Sequence, residues 1–528
     1  MIKHPNKLWI TVLLLGWFFD FLFWKHLPGI NFAIFVVLCL VGGMVVLFGE
    51  GFKPSRRSLL LLIPILFFAA ISFIRREDFT NTLSIFLTLL LLALIAATWL
   101  GGRWLEYGLA DYFLAALRLV GGVISKPFML LTSGRSTSVA AGESRPVKRN
   151  FWPVVRGILI ALPILVIFAS LLASADLVFS QKLQAFISLF NLERLPEYIL
   201  RLFIILAGAF LLAGVFLHAA ASSRDEKLAG ADKPLVPAFL GMTETGIILG
   251  SLALLFTLFV VVQFQYFFGG QANIHLDGFT YAEYARKGFG ELVAVAAFSL
   301  LLLMVLSSLT RRDTTIQRNV FSALGVLLLV LVGVILISAF QRLVLYENAY
   351  GFSRLRTYTH VFMIWLGILL AVVVLLEVLH KERVFTLAAF LALLGFVASL
   401  SLVNVDGYIA SQNIQRASQG QELDVPYLSS LSTDAIPDLV RIFSSPNLKP
   451  ALHEQVGATL VCLAQYNGIT HDQDWRAFNV SRAQANRLLS SIKVELDAYP
   501  INTNATQPFV QTPSGARIPC FSSSASMD

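Results

Sequence analysis

Long runs of apolar residues constrain this chain more than any other feature. The segment 83–100, for example, is apolar almost throughout, and runs of about 18 or more such residues are typical of membrane spans. Hydrophobic residues make up 57% of the chain and charged residues only 14%, whereas soluble domains contain about 45–50% and about 25%. The sequence therefore predicts an all-α fold: a polytopic transmembrane helical bundle with a small C-terminal helical extramembrane domain.

The hydropathy pattern predicts about eleven spans. Residues 107–131 are mildly amphipathic, and we expect them to lie at the membrane interface without crossing it. Pro64 and Pro163 fall inside spans, where proline should kink the helix. The predicted spans are 8–24, 30–48, 58–74, 80–100, 151–173, 197–220, 242–268, 288–309, 318–340, 357–379 and 384–403.

The formal charge of +8 does not indicate a nucleic-acid partner, because the basic residues are concentrated in short loops between spans. There they set orientation, since Lys and Arg are enriched in cytoplasmic loops. With the N-terminus inside, the inside loops hold twice as many Lys and Arg residues as the outside loops. We therefore expect a bacterial inner-membrane protein with a cytoplasmic N-terminus. An odd number of spans then makes the C-terminal domain extracytoplasmic.

Changes in composition divide the chain into five parts. The last part is rich in Ser, Thr, Asn and Pro, which predicts disorder. Cys462 and Cys520 both lie in the region predicted to be external, where they can form a disulfide if the compartment is oxidising. The parts are N-terminal transmembrane helices (1–131), a basic flexible linker (132–150), a transmembrane core (151–403), an extramembrane helical domain (404–499) and a disordered tail (500–528).

The segment DGFTYAEYARKGFGELVAVAAF, residues 277–298, is unusually polar for a membrane boundary. Its Thr-x-x-Glu start fits a helix capping box, and Tyr281 and Tyr284 are natural interface anchors. Glu291 lies about one turn into the apolar run, and the capping box does not explain it. Three interpretations stay open: an interhelical ion pair, a ligand or proton site, and a side chain that extends to the headgroup level.

The segment YENAYGFSRLRTYTHVFMIWLG, residues 346–367, is also unusually polar for a membrane boundary. Gly351 is typical of a helix end. We expect Arg354 or Arg356 to form an interhelical ion pair with Glu291 or Glu347, because Arg and a carboxylate can make two parallel hydrogen bonds. The alternative is that these residues are interface anchors. The candidate polar site therefore comprises Glu291, Arg354, Arg356, Tyr281, Tyr284 and Glu347.

No catalytic signature occurs in the sequence. It lacks a P-loop, which speaks against a nucleotide-driven pump, and it lacks His-Glu-x-x-His, Cys-x-x-Cys and Gly-x-Ser-x-Gly motifs. We therefore expect no catalytic residue, no metal site and no cofactor. Four other titratable residues lie close enough to an interface to extend into it, which favours no functional role; they are Asp20, Glu244, Glu377 and His380.

Three strings give the second half of the chain, from about 240 to 445, a family resemblance. They are LDGFTYAEYARKGFGELV, AYGFSRLRTYTHVFMIWL and NVDGYIASQNIQRASQGQELDVPYLSSLSTDAIPDL, and they occur in this order. Together they resemble the bacterial domain-of-unknown-function family 4173, which is related to family 4153. The resemblance implies an integral membrane protein, and it supplies no catalytic or binding residues to carry over.

Three functions are consistent with these features. A non-enzymatic sensor or assembly scaffold, which binds a protein partner through residues 404–499, is favoured by the missing motifs and the appended domain. A secondary transporter or channel would use the charges near Glu291, Arg354 and Arg356, but no inverted repeat is evident. A membrane enzyme acting on a lipid-linked substrate would need a carboxylate in a water-filled cavity. The bilayer is the one partner that the composition indicates directly, and the sequence names no substrate and no oligomeric state.

Overall fold

A computed structural model describes residues 3–136, 195–224, 238–268, 289–379, 384–468, 474–504 and 507–520, with isolated positions at 228 and 381 and between 161 and 182. Eleven segments within these ranges are helical, long and apolar enough to cross a membrane. This confirms the predicted polytopic α-helical class. The segments are α1 (Pro5–Phe23), α2 (Ile30–Gly49), α3 with α4 (Arg56–Leu59 and Leu62–Ile74), α5 (Asp78–Thr98), α6 (Leu109–Ser136), α7 (Leu195–Ala221), α8 (Met242–Phe268), α9 (Phe289–Leu309), α10 (Thr315–Tyr350), α11 (Arg354–Val378) and α12 (Phe385–Val403).

The spanning helices pack into two groups joined by α12. Helices α1 to α7 share apolar cores around Ile65 and Val12, and helices α8 to α11 share another around Leu328. Helix α12 packs on α5 in the first group and on α11 in the second. The α11 contact is so close that a Cβ at Gly395 would lie 2.1 Å from the Trp365 ring, so a glycine is required there.

Helix α6 corrects the prediction that residues 107–131 lie flat at the interface. It packs lengthwise against α7, with the rings of Phe128 and Phe210 5.0 Å apart. A Cβ at Gly214 would lie 2.1 Å from the Val123 carbonyl oxygen. Of the two basic residues that suggested an interfacial helix, Lys126 donates from Nζ to the Ser222 hydroxyl just after α7, so its charge is compatible with the packed helix. The helix also continues to Ser136, into the range predicted as a flexible linker, while the predicted span 151–173 lies largely outside the described residues.

The third span is interrupted, as its internal proline predicts. Helix α3 ends at Leu59 and α4 begins at Leu62, because Pro64 has no N–H to donate to the carbonyl of Leu60. Gly351 ends α10 with φ +84°, which confirms the predicted helix end, since this backbone conformation favours glycine. The sharp turn there places the first residues of α11 beside the last residues of α10.

After Val403 the chain forms a compact extramembrane domain, around a core that includes Ile409, Leu439 and Val456. The predicted disordered tail is wrong for residues 501–504 and 507–520, whose strands form an antiparallel three-stranded sheet packed on the domain. Val510 supplies the apolar contact, which a composition average does not reveal. The elements are α13 (Val405–Ser418), α14 (Val425–Ser429), α15 (Ile436–Phe443), α16 (Pro450–Tyr466), α17 (Val480–Ser491), α18 (Lys493–Leu496), β1 (Ile501–Asn502), β2 (Phe509–Gln511) and β3 (Arg517–Pro519).

The N-terminus and the C-terminal domain lie at opposite ends of the bundle. At one end the His4 backbone N–H donates to Glu50 at 2.8 Å. At the other end the domain rests on the loops that follow α1, α4 and α10. Asn479 Nδ2, for example, donates to the Arg75 carbonyl at 2.9 Å. This second end of the bundle, where the domain docks, is called the docking face below.

Candidate functional site

The strongest polar contact at the docking face joins Arg354 to Asp406. Arg354 is the first residue of α11, and its Nε and Nη2 atoms donate to the two Asp406 carboxylate oxygens at 2.8 and 2.7 Å. Asp406 is fully buried and also accepts the Ser432 backbone N–H at 2.7 Å. The Arg354 backbone N–H donates to the Tyr427 hydroxyl at 2.8 Å. One residue of a membrane helix is thus bonded to two helices of the extramembrane domain, α13 and α14.

A second set of contacts involves Glu77, which precedes α5. Its carboxylate accepts the N–H groups of Phe79 and Thr80, both at 2.8 Å, and so caps the helix. The same carboxylate accepts the Tyr358 hydroxyl of α11 at 2.6 Å. Asp434 of the domain accepts the Glu77 backbone N–H at 2.9 Å and that of its neighbour Arg76 at 2.8 Å. The first helix group, the second helix group and the domain are therefore joined at one place.

The remaining charges of this region are paired around the turn at Gly351. Glu347 is buried, and its Oε1 lies 3.0 Å from Nδ1 of His360. The Arg356 guanidinium donates to the Gly351 carbonyl oxygen and lies 4.1 Å from the centre of the Tyr346 ring. These contacts hold the end of α10 against the start of α11.

The structure brings three of the predicted site residues together but gives them other partners. Arg354, Arg356 and Glu347 lie around the same turn, yet the expected pairing of an arginine with Glu291 or Glu347 is wrong. Glu291 is exposed in the first turn of α9, and the described residues offer it no hydrogen bond or ion pair. Tyr281 and Tyr284 lie outside the described residues.

Sequence reasoning missed Asp406 because it treated the chain after Val403 as a separate domain. In fact α13 begins two residues after α12 ends, so Asp406 stays close to the membrane helices. The signal was available: Asp406 lies in the NVDGY string that supports the family resemblance. An acidic residue immediately after a span should be weighed as a partner for charges at neighbouring helix ends.

Three buried polar groups lie within the helices themselves. Asp20 accepts hydrogen bonds from Arg201 Nε and Nη2, both to Oδ2, at 2.9 and 2.6 Å. Glu377 accepts the Ser322 hydroxyl at 2.8 Å. Asp20 and Glu377 are both buried, so the expectation that they extend to the interface is wrong for both. His380 lies outside the described residues, and Glu244, exposed at the start of α8, caps its own helix through the Gly241 N–H.

The third of these groups was not predicted. Arg342 Nη2 and the Ser338 hydroxyl, both on α10, donate to the Gln263 side-chain oxygen of α8 at 2.9 and 3.1 Å. All three side chains are buried. A buried arginine inside an apolar helix is costly, and such residues commonly mark functional sites.

The extramembrane domain is also linked covalently. A disulfide joins Cys462 on α16 to Cys520 after β3, with the two Cα atoms 5.2 Å apart. It fixes the sheet to the helical part of the domain. Cys39, in α2, is a free cysteine. Among the residues that the structure describes, no group of three His, Cys, Asp or Glu side chains could hold a metal ion.

Helices of this length and apolarity, with their charges paired inside the bundle, define a multi-pass integral membrane protein. Within that class, the chain belongs to the family defined by a domain of unknown function, DUF4153, whose model matches residues 62–442. The match includes the docking contacts of Glu77, Arg354, Asp406 and Asp434, and it ends before the disulfide. No curated protein and no solved structure matches the chain. The closer resemblance to family 4173 stays a prediction.

The buried carboxyl group of Asp434 predicts a pH-dependent stability. Burial raises the pKa of Asp434, and this outweighs the hydrogen bonds from the Arg76 and Glu77 backbones, which lower it. The folded protein therefore binds this proton more tightly than the unfolded chain. Ionisation of Asp434 in the folded protein therefore lowers the free energy of unfolding. This loss begins as the pH rises above the ordinary aspartate pKa of about 4.

We expect Asp434→Asn to keep one acceptor oxygen and remove the charge. The variant should unfold at a higher temperature than the wild type at neutral pH, and the difference should shrink towards about pH 4. The measurement is the thermal unfolding midpoint of the full chain in detergent across this range. Glu422→Gln, which changes an exposed carboxylate, is the control. A lower midpoint for Asp434→Asn at neutral pH would show that the charge stabilises the docking face.

Proposed function

We propose that this protein is a non-enzymatic scaffold or sensor whose membrane helices present the C-terminal domain to a protein partner. One observation carries the proposal: the charges at the docking face are used to attach the domain. Arg354 is bonded to Asp406 through two hydrogen bonds, and Asp434 of the domain accepts the backbone N–H groups of Arg76 and Glu77. Side chains that are fully engaged in this way attach the domain firmly and do not line an open path for a substrate.

The proposed location is a bacterial inner membrane, with the N-terminus cytoplasmic and the domain extracytoplasmic. The excess of Lys and Arg in the loops at the N-terminal end supports this orientation. The disulfide between Cys462 and Cys520 supports it independently, because disulfides persist in oxidising compartments. In this orientation the domain would meet an extracytoplasmic partner, and the rigid attachment would transmit the contact to the spanning helices.

A second candidate function is transport, and one observation favours it. The buried group formed by Gln263, Ser338 and Arg342 lies within the spanning helices α8 and α10. Polar and charged side chains at such depth are typical of ion or substrate pathways. We rank this candidate second because the three side chains are bonded to one another and the sequence shows no inverted repeat.

Photo-crosslinking within the membrane tests the scaffold proposal. A photoreactive residue replaces Val494, which lies on the domain and is 87% exposed. We expect a discrete crosslinked polypeptide whose yield falls when Arg354→Ala loosens the domain. The matched control is the same residue at Ile316, also highly exposed but at the other end of the bundle. If neither Val494 nor the exposed Tyr466 yields a crosslinked polypeptide in native membranes, the scaffold proposal fails and transport becomes the better candidate.

A further inference from the structure

A small cavity, partly open to solvent, lies at the end of the bundle opposite the docking face, where α5, α6 and α7 meet. Its polar lining comes from Asp111, Arg118, His218 and Ser222, and apolar residues such as Ala97 and Leu114 complete it. None of the contacts described above uses this cavity. It therefore calls for its own explanation.

His218 is the most unusual residue of the cavity. Its side chain is only 3% exposed, and its Nδ1 atom is buried without a hydrogen-bond partner among the described residues. A buried polar atom left without a partner costs about 1–3 kcal/mol. The ring fits because residue 122 is a glycine: a Cβ there would lie 2.5 Å from Nδ1. The arrangement is explained if a ligand supplies the missing partner.

Two cations lie beside this histidine. Arg118 is exposed, and its guanidinium takes part in none of the hydrogen bonds or ion pairs found between described residues. Lys126, one turn below Gly122, donates from Nζ to the Ser222 hydroxyl at 2.6 Å. Among the described residues that line the cavity, Asp111 is the one carboxylate, and its Oδ2 accepts the Gly108 backbone N–H at 2.9 Å. The cavity thus offers more donors and positive charge than acceptors.

We propose that this cavity binds a phosphate group, carried by an anionic lipid headgroup or by free phosphate. Arg118 would pair with two of its oxygens, because guanidinium matches phosphate geometry. Lys126 and Ser222 would supply further donors, and a neutral imidazole can donate from Nδ1. Basic cavities between helices at a membrane surface are known headgroup sites. The proposal does not depend on the scaffold function.

The surface of α6 favours the lipid source. Three apolar side chains on this helix are exposed, at a spacing that places them on one face running inward from the cavity. They are Leu117, Val120 and Ile124. An acyl chain attached to a phosphate in the cavity could lie along this face. A free phosphate has no acyl chain to contact this face, so a phospholipid should bind more tightly than inorganic phosphate.

The test uses the full chain, delipidated in a neutral detergent, and follows binding by the shift of the thermal midpoint. The probes are short-chain phosphatidylglycerol, the matching phosphatidylcholine, and inorganic phosphate. We expect phosphatidylglycerol to bind about tenfold tighter than phosphatidylcholine, and Arg118→Ala to weaken it by about tenfold. Arg56→Ala is the matched control, because Arg56 is an equally exposed arginine at the same end of the bundle, outside the cavity.

Each outcome decides one point. Tighter binding of the lipid than of inorganic phosphate, with loss only in Arg118→Ala, assigns the cavity to a headgroup. Equal binding of inorganic phosphate, also lost only in Arg118→Ala, assigns it to free phosphate. The proposal is overturned if the wild type shows no preference for either phosphate probe over phosphatidylcholine. It is also overturned if Arg56→Ala weakens binding as much as Arg118→Ala, because the effect would then be general surface charge.

Discussion

The Arg354→Ala variant is expected to lose the fixed attachment of the C-terminal domain. Asp406 is fully buried, and removal of its partner leaves an uncompensated carboxylate. Breaking a buried ion pair in this way costs about 3–5 kcal/mol. Arg354 keeps 29% of its side chain exposed, so water can partly solvate the carboxylate, and we expect a value near the lower limit. A loss of about 3 kcal/mol corresponds to roughly a hundredfold increase in local opening.

Hydrogen–deuterium exchange measures this opening directly. Backbone amides in 405–443 should exchange about a hundredfold faster in Arg354→Ala, while those in α16, within the core of the domain, should change little. Arg441→Ala is the matched control: it removes an arginine that is 73% exposed and pairs with Asp438 on the surface, where a salt bridge contributes about 0–1 kcal/mol.

The double variant Arg354→Ala/Asp406→Asn distinguishes the effect of the uncompensated Asp406 charge from the effect of the lost hydrogen bonds to Arg354. Asparagine keeps an acceptor for the Ser432 N–H but carries no charge, so it should recover part of the protection lost in the single variant. If the single variant exchanges no faster than Arg441→Ala, the ion pair does not hold the domain. The proposal that the docking charges serve attachment would then fail.

Replacing both Cys462 and Cys520 by alanine is expected to have a comparably large effect. The disulfide links residues separated by 58 positions, and loss of a native disulfide typically costs about 2–5 kcal/mol, because it restores conformational freedom to the unfolded chain. Both sulfur atoms are buried between the sheet and α16. We expect the segment after Pro500 to become sensitive to protease, while the spanning helices stay intact.

Limited proteolysis of membranes, with and without a reductant, measures this effect. The wild type treated with reductant should resemble the double variant, and Cys39→Ala should resemble the untreated wild type, because Cys39 is not part of the disulfide. Trapping free thiols before membrane isolation also tests the orientation. If Cys462 and Cys520 are both alkylated in living cells, the disulfide does not form there, and the extracytoplasmic location loses its independent support.

Local patterns predicted much of the architecture. The positions of α1, α2, α5 and α12 follow from runs of apolar residues, because backbone groups in a bilayer must be satisfied within a helix. The end of α10 follows from Gly351. The placement of the segment 107–136 could not be predicted from the sequence, because its mixed composition fits both a surface helix and a spanning helix. Its packing against α7 distinguishes them, and that packing depends on Gly214, far away in the sequence.

The candidate site was also predictable only in part. Arg354, Arg356 and Glu347 stand out because charged residues are rare next to spans, and the Gly351 turn keeps them near one another. Their partners could not be predicted. Asp406 lies 52 positions after its partner Arg354. Glu77 lies 281 positions before its partner Tyr358, so no local pattern connects either pair. The sheet at 501–519 was missed because Val510 is buried by a distant helix.

The sequence by itself determined the class of this protein, the approximate number of its spans and the region where its charges meet. These are local properties: apolar length, turn residues and the rarity of charge decide them. Only the tertiary structure decided which charges pair, which buried histidine is left facing a cavity, and how the described residues after Pro500 fold. Those outcomes depend on which helix surfaces come into contact, and that is settled by packing across the whole chain.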